Sequence, residues 1–246
     1  MYESAGVVSR TTPHPAIAKI LNLSGAVMSV WALFLEGPFI PVIVLLLGFP
    51  LIACMFFFQS NGSYELGGMR YDPRPTLAIA FGCCSVALII CSLRDFPLLN
   101  FIPTLLMASV AGLVLTVVVA DVDRKARESG KLKLRDRKLS RRLVFFVVVL
   151  IFAASYFFGA IVQANALLDK SVPVTYRAVV IRKSVSSSRN SRHRNLWLAP
   201  WGPHQEVKSE WVTPSLYRSV EPGQSVCVDL HPGFGKIPWY VVRECR

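Results

Sequence analysis

Apolar residues along this chain gather into five long runs, after which the rhythm changes. The runs cover residues 16–35, 38–58, 76–93, 96–120 and 143–168, each close to the roughly 20 residues that a helix needs to cross about 30 Å of hydrocarbon. The first is the weakest, because Lys19 and Asn22 interrupt its start. The second is strong despite Pro41 and Pro50, which a helix inside a bundle tolerates. From Asp169 onward the period shortens towards two. VTYRAVVIRKSV (174–185), NLWLAPW (195–201), EVKSEWV (206–212), SVCVDL (225–230) and WYVVREC (239–245) are rich in β-branched and aromatic residues and predict strands. Pro222 and Gly223 mark a turn, and the basic stretch SSSRNSRHRN (186–195) is expected to form a hairpin tip or loop. The fold class that follows is an α-helical membrane bundle of five transmembrane helices (residues 1–168) followed by a small C-terminal antiparallel all-β extracytoplasmic domain (169–246).

Composition agrees with a membrane protein. Of the 246 residues 53% are hydrophobic and 17% charged, against about 25% charged in soluble domains. The net charge of +12 does not point to nucleic acid, since no nucleic-acid-binding motif accompanies it. In a membrane protein such a balance follows from the positive-inside bias and from attraction to anionic headgroups. The loop 121–142 holds ten Lys/Arg against four Asp/Glu. Its expected place is the cytoplasm, and five spans then put the N-terminus inside and the β domain outside. Arg10 and Lys19 agree with that orientation. Within the loop, Arg135, Arg137, Lys138, Arg141 and Arg142 are expected to meet anionic lipid or an acidic partner. Residues 16–35 are taken as a span and not a cleaved leader, because no A-x-A-like site precedes Glu36 and Asn22 breaks the apolar run.

Candidate chemistry adds little within the spans. His14, His193, His204 and His231 all lie outside them, and Asp95 and Asp121 sit only at their ends. Intramembrane catalysis and ion-coupled transport both place ionisable groups near the midplane, so no enzyme, cofactor or metal site is expected. Cys54, Cys83, Cys84 and Cys91 fall inside spans and read as small apolar residues. Ala108-x-x-x-Gly112 and Ser155-x-x-x-Gly159 allow close helix approach, within the bundle first and in a homo-oligomer as the alternative. Arg74, in Asp72-Pro73-Arg74-Pro75, is expected at the headgroups.

In the β domain, Trp197, Trp201, Arg192 and Arg194 are candidate contacts for a protein partner, whereas Trp211 and Trp239 read as core. Gly233-Phe-Gly-Lys236 is not a phosphate loop: the P-loop spacing would need Gly at Leu230 and Ser or Thr at Ile237. It reads as a turn between strands. Alternation places Cys227 with Ser225 and Asp229, and Cys245 with Arg243, on the more polar strand faces. Outside the cytoplasm such a pair is expected to oxidise, so a Cys227–Cys245 disulfide is predicted, with a bulge or a non-adjacent strand to bring the two together.

The tail pattern Tyr217-x-x-Val220-x-x-Gly223, Val226-Cys227-Val228, His231-Pro232-Gly233-x-Gly235-x-x-Pro238-Trp239-Tyr240 and Cys245 resembles the small β domain that ends some uncharacterised bacterial polytopic inner-membrane proteins; Asp72-Pro73-Arg74-Pro75 is similar to that group too. The resemblance implies a bacterial inner-membrane location and carries over no active site. The functional expectation is a non-enzymatic envelope protein whose periplasmic domain binds a partner or ligand. The rivals are a membrane-bound immunity protein against a toxin and a transporter or channel subunit, the latter requiring a polar seam through the bundle.

Overall fold

The computed structural model describes residues 14–35, 39–67, 74–128, 139–188 and 191–245. Five long helices come first: α1 (Pro15–Phe34), α2 (Ile40–Gln59), α3 (Ala78–Asp95), α4 (Ile102–Glu128) and α5 (Leu139–Leu167). All five contain segments long and apolar enough to cross a membrane. Their outward sides are apolar as well: on α4, Leu106, Val110, Val114 and Val117 are each more than half exposed. A helix with apolar residues on its open side suits lipid and not water. The chain is a multi-pass membrane protein.

Two compact units emerge, one of Met1–Cys91 with Leu105–Ala160, the other of Ser92–Thr104 with Ile161–Arg246. In the first, Phe57, Phe81, Phe145 and Val149 form one buried cluster and Leu46, Ala87, Leu88 and Tyr156 another. Small residues let the helices approach. A Cβ on Gly112 would lie 2.8 Å from the Ala154 nitrogen, and one on Gly159 2.7 Å from the Leu88 side chain, so both glycines serve packing inside the bundle.

Three features of the helical part differ from expectation. α4 starts at Ile102 and not at residue 96. Pro97 disfavours helical geometry at Phe96, and Asn100 supplies a fresh start, its Oδ1 accepting from the Ile102 N–H at 3.0 Å. The basic loop is shorter than residues 121–142, because α4 runs on to Glu128 and α5 begins at Leu139. The α4 extension is held by ion pairs of Asp121 with Arg124 (2.8 Å) and Lys125 (2.6 Å), one turn apart. Arg135, Arg137 and Lys138 lie outside the described residues; Arg141 is on the α5 backbone, and Arg142 is exposed. Arg74, finally, is covered by protein instead of standing open to headgroups: it is 6% exposed and pairs with Asp123 at 2.9 Å.

The second unit carries the sheet: β1 (Val174–Ser188), β2 (Ser191–Leu198), β3 (Lys208–Trp211), β4 (Ser225–His231) and β5 (Trp239–Glu244). Their order is β3-β2-β1-β4-β5, antiparallel throughout. The long β1 is shared, its first half pairing β4 from Val174↔Leu230 and its second half β2 down to Ser188↔Ser191, with a bulge between Val180 and Arg182. The stretch 186–195 is thus strand on both sides, and only residues 189–190, outside the described residues, separate β1 from β2. One face of the sheet buries Ala178, Val180, Leu196, Leu198, Val226 and Tyr240. A short helix, α6 (Pro214–Ser219), covers that face through Leu216. It was not foreseen, although Thr213-Pro214 is a start signal; the Thr213 hydroxyl accepts from the Leu216 N–H.

Cys227 and Cys245 stand at disulfide-bonding distance, with Cα atoms 5.0 Å apart. No bulge or distant strand is needed. β4 and β5 pair regularly, Cys227 faces Arg243, and Cys245 lies two residues further along the same face, a diagonal neighbour.

Candidate interaction site on the β unit

The glycine-rich loop between β4 and β5 wraps around a single side chain. Asn165, in the last turn of α5, donates from Nδ2 to the Ile237 carbonyl at 2.8 Å, and its Oδ1 accepts from the Gly235 N–H at 2.8 Å. Its backbone carbonyl accepts from the Phe234 N–H at 3.1 Å. Gly233 is required here, since its φ is +77° and a Cβ would fall 2.3 Å from the Ile237 carbonyl and 2.5 Å from the Asn165 amide. Four residues after Asn165, one Asp169 oxygen accepts from the Gly233 N–H (2.9 Å) and from the Trp239 indole (3.2 Å), and the other from the Ser171 N–H (2.9 Å). Burial alone would raise this carboxyl, but the bonds from Ser171, Trp239 and Gly233 outweigh it and hold its pKa below the ordinary value. The α3–α4 turn joins the same assembly. Phe96 meets Trp239 edge to face at 5.2 Å, the Leu99 N–H donates to the Pro238 carbonyl and the Tyr240 N–H to the Pro97 carbonyl, and Gln163 donates to Ser92 at 3.2 Å.

Inside the sheet core the polar groups also bond across the sequence. Tyr240 donates to Glu210 at 2.7 Å and accepts from Lys208 at 2.6 Å. Burial first, then the Glu210 charge, pushes the Tyr240 phenol up, so it remains a donor at neutral pH. Trp201 and His204 pack on Tyr240, and burial, helped by Lys208, lowers the His204 pKa. In the first unit, by contrast, Ser29, Ser85 and Thr116 each donate to a carbonyl four residues back on their own helix.

The other face of the β3-β2-β1 half carries the aromatic groups that reach solvent. Arg182 stacks on Trp197 at 4.5 Å, and the Trp197 indole donates to Ser184 at 3.3 Å. Trp211 lies opposite Asn195 on the neighbouring strand, diagonal to Trp197 and on the same face. Trp211 is 48% exposed, whereas Trp201 is 3% exposed and belongs to the core. Trp201, expected at the surface, is therefore core, and Trp211, expected in the core, is not. Arg194 is half-buried, its carbonyl accepting from the Val212 N–H; the Arg192 side chain lies outside the described residues. Among the described residues no group of three His, Cys, Asp or Glu converges as a metal site would. Sequence reasoning missed Asn165 and Asp169, although polar residues spaced i, i+4 at the end of an apolar run were a usable signal. No family model, curated protein or solved structure matches this chain.

Proposed function

We propose that this protein is a non-enzymatic component of a bacterial inner membrane, N-terminus in the cytoplasm, whose β unit stands in the periplasm and recognises a partner there. The observation that carries the reading is the row of half-buried Trp197 with exposed Arg182 and Trp211 on the other sheet face. Flat aromatic groups beside a guanidinium offer contact area at low side-chain entropy cost. The unit has a basic balance, twelve Lys/Arg against six Asp/Glu in residues 169–246, which favours an acidic partner. The basic stretch around residues 129–142 supports the cytoplasmic side for that loop and contact with anionic headgroups. In an oxidising periplasm the Cys227–Cys245 pair would be closed.

Two measurements test this. A reporter active only in the periplasm, fused after Arg246, is expected to be active; silence overturns the orientation. A photo-crosslinking residue at position 211 of the full chain, irradiated in cells, is expected to give a discrete protein adduct that Arg182→Glu abolishes. No adduct, or one that ignores the Arg182 change, sinks the recognition role.

A further inference from the structure

The tip of the glycine-rich loop lies against the last turn of α5. Asn165 bonds there to Phe234, Gly235 and Ile237, and a Cβ on Gly233 would fall 2.5 Å from its amide. The level of that turn in a membrane follows from the helix itself. The apolar stretch of α5 begins at Arg142, and about 30 Å of hydrocarbon at roughly 1.5 Å per residue takes about 20 residues, which brings the far boundary close to Gln163. α4 agrees: counted back from the ion-paired Asp121, the same length ends near its first residue, Ile102. Asn165 therefore stands where acyl chains give way to headgroups, and the loop tip stands beside it. Leu167 and Leu168, further along the chain, are still apolar and exposed. Surface suited to lipid thus continues past the level of the tip.

At this level Phe234 is 68% exposed, and a ring that open adds little to the packing of the loop. Lys236 follows with a φ of +59°, a left-handed geometry that glycine adopts more easily, so the turn itself gives no reason for a lysine. Lys170, just past the end of α5, is exposed as well. The carboxylates that adjoin these helix ends, Asp95 and Asp169, have covered side chains; the first pairs with Arg94 and the second bonds to Gly233 and Trp239. Neither presents open charge against a phosphate. We propose that the β4–β5 tip is seated in the phospholipid leaflet beside it, with the Phe234 ring among the upper acyl carbons and the Lys170 and Lys236 ammonium groups on lipid phosphates. Amphipathic surfaces bind the boundary region in this way, apolar groups below the headgroups and cationic groups among them. The lipid-facing surface of the helices is then continuous with the β unit. The reading is independent of which side of the membrane that unit occupies, so a failed orientation test would leave it standing.

Fluorine NMR of the full chain in nanodiscs of phosphatidylglycerol and phosphatidylcholine tests this, with trifluoromethylphenylalanine placed at position 234 or, as a control, at position 211. A nitroxide carried on the upper acyl chain is expected to broaden the signal from 234. A water-soluble gadolinium chelate should broaden it about threefold less than the signal from 211, which should respond chiefly to the chelate. Lys170→Glu combined with Lys236→Glu is expected to shift the response of 234 towards the chelate. The 211 signal should keep its position in that variant, which separates release of the tip from unfolding of the sheet. An equal chelate response at 234 and 211 overturns the proposal. So does shielding of 234 from both probes, which would put protein and not lipid over the ring. Shielding that the double lysine variant leaves unchanged overturns the role given to the lysines.

Discussion

Each unit fastens a connecting loop to helices with buried side chains, and the two use opposite chemistry. In the first, the turn that follows α2 is held by charge: Arg74 donates to the Gly62 carbonyl at 2.8 Å and pairs with Asp123 on α4 at 2.9 Å. In the second, the loop that follows β4 is held chiefly by a neutral amide, Asn165, with Asp169 as an outer support. A buried ion pair gains little over an apolar replacement of the whole pair but is costly to break from one side. An amide that satisfies a donor and an acceptor of one loop has a smaller cost per group and more demand on shape. The charged fastening should therefore fail more severely, and the neutral one more selectively.

The largest effect expected is for Asp123→Ala, which takes a partner from a buried guanidinium and should destabilise the first unit by about 4 kcal/mol. Unfolding of the purified protein in detergent, followed by circular dichroism, measures it; a change as small as that of a surface substitution would mean the pair is not buried in charge. Gly233→Ala comes next, at about 3 kcal/mol, because it combines a disfavoured backbone with overlap on Asn165. Its effect should be confined to the tryptophan fluorescence of the second unit. Asn165→Leu leaves the Gly235 N–H and the Ile237 carbonyl without their partner and should cost about 2 kcal/mol, while Asn165→Asp keeps the acceptor for Gly235 but turns a buried oxygen towards the Ile237 carbonyl in place of the donor and should cost at least as much. A clearly smaller loss in the Asp variant would contradict the assigned bonds.

Acid should distinguish the fastenings more gently. The Asp169 carboxyl has a folded pKa below its unfolded value, so its contribution is present above the ordinary carboxylate range and is lost as pH falls through its lowered folded value. Melting of the second unit should weaken in that window, and Asp169→Asn should flatten the dependence; an unchanged pH profile would exclude this role. The smallest effect, about 0.5 kcal/mol, is expected for Arg182→Ala, which removes an exposed stack on Trp197. A loss of several kcal/mol there would make the open sheet face structural and weaken its reading as a contact surface.

What could be read from the sequence was whatever repeats locally. Five apolar runs and five alternating segments became five helices and five strands, because periods of 3.6 and 2 are properties of neighbouring residues. The failures are long-range. Arg74 looks like an interfacial cation until α4, about 50 residues later, brings Asp123 to it. Alternation from Trp197 would carry Trp201 to the same outer face, but the strand ends at Leu198 and the turn closed by mutual bonds of Trp201 and His204 folds the indole back onto Tyr240. The true outer tryptophan, Trp211, is set by pairing with β2. The α3–α4 turn likewise looked like the start of a helix; Pro97 argues against that locally, and the edge of β5 supplies the bonds that hold residues 97–99.

That last pairing has a consequence for biosynthesis. Pro97 and Leu99 emerge from the ribosome about 140 residues before Pro238 and Tyr240, the groups that complete their hydrogen bonds. Contacts so distant in sequence close late, so until the final hairpin has been made the turn presents an open strand edge. Chains released early would keep that edge exposed, a tag by which proteases could tell an unfinished copy from a finished one.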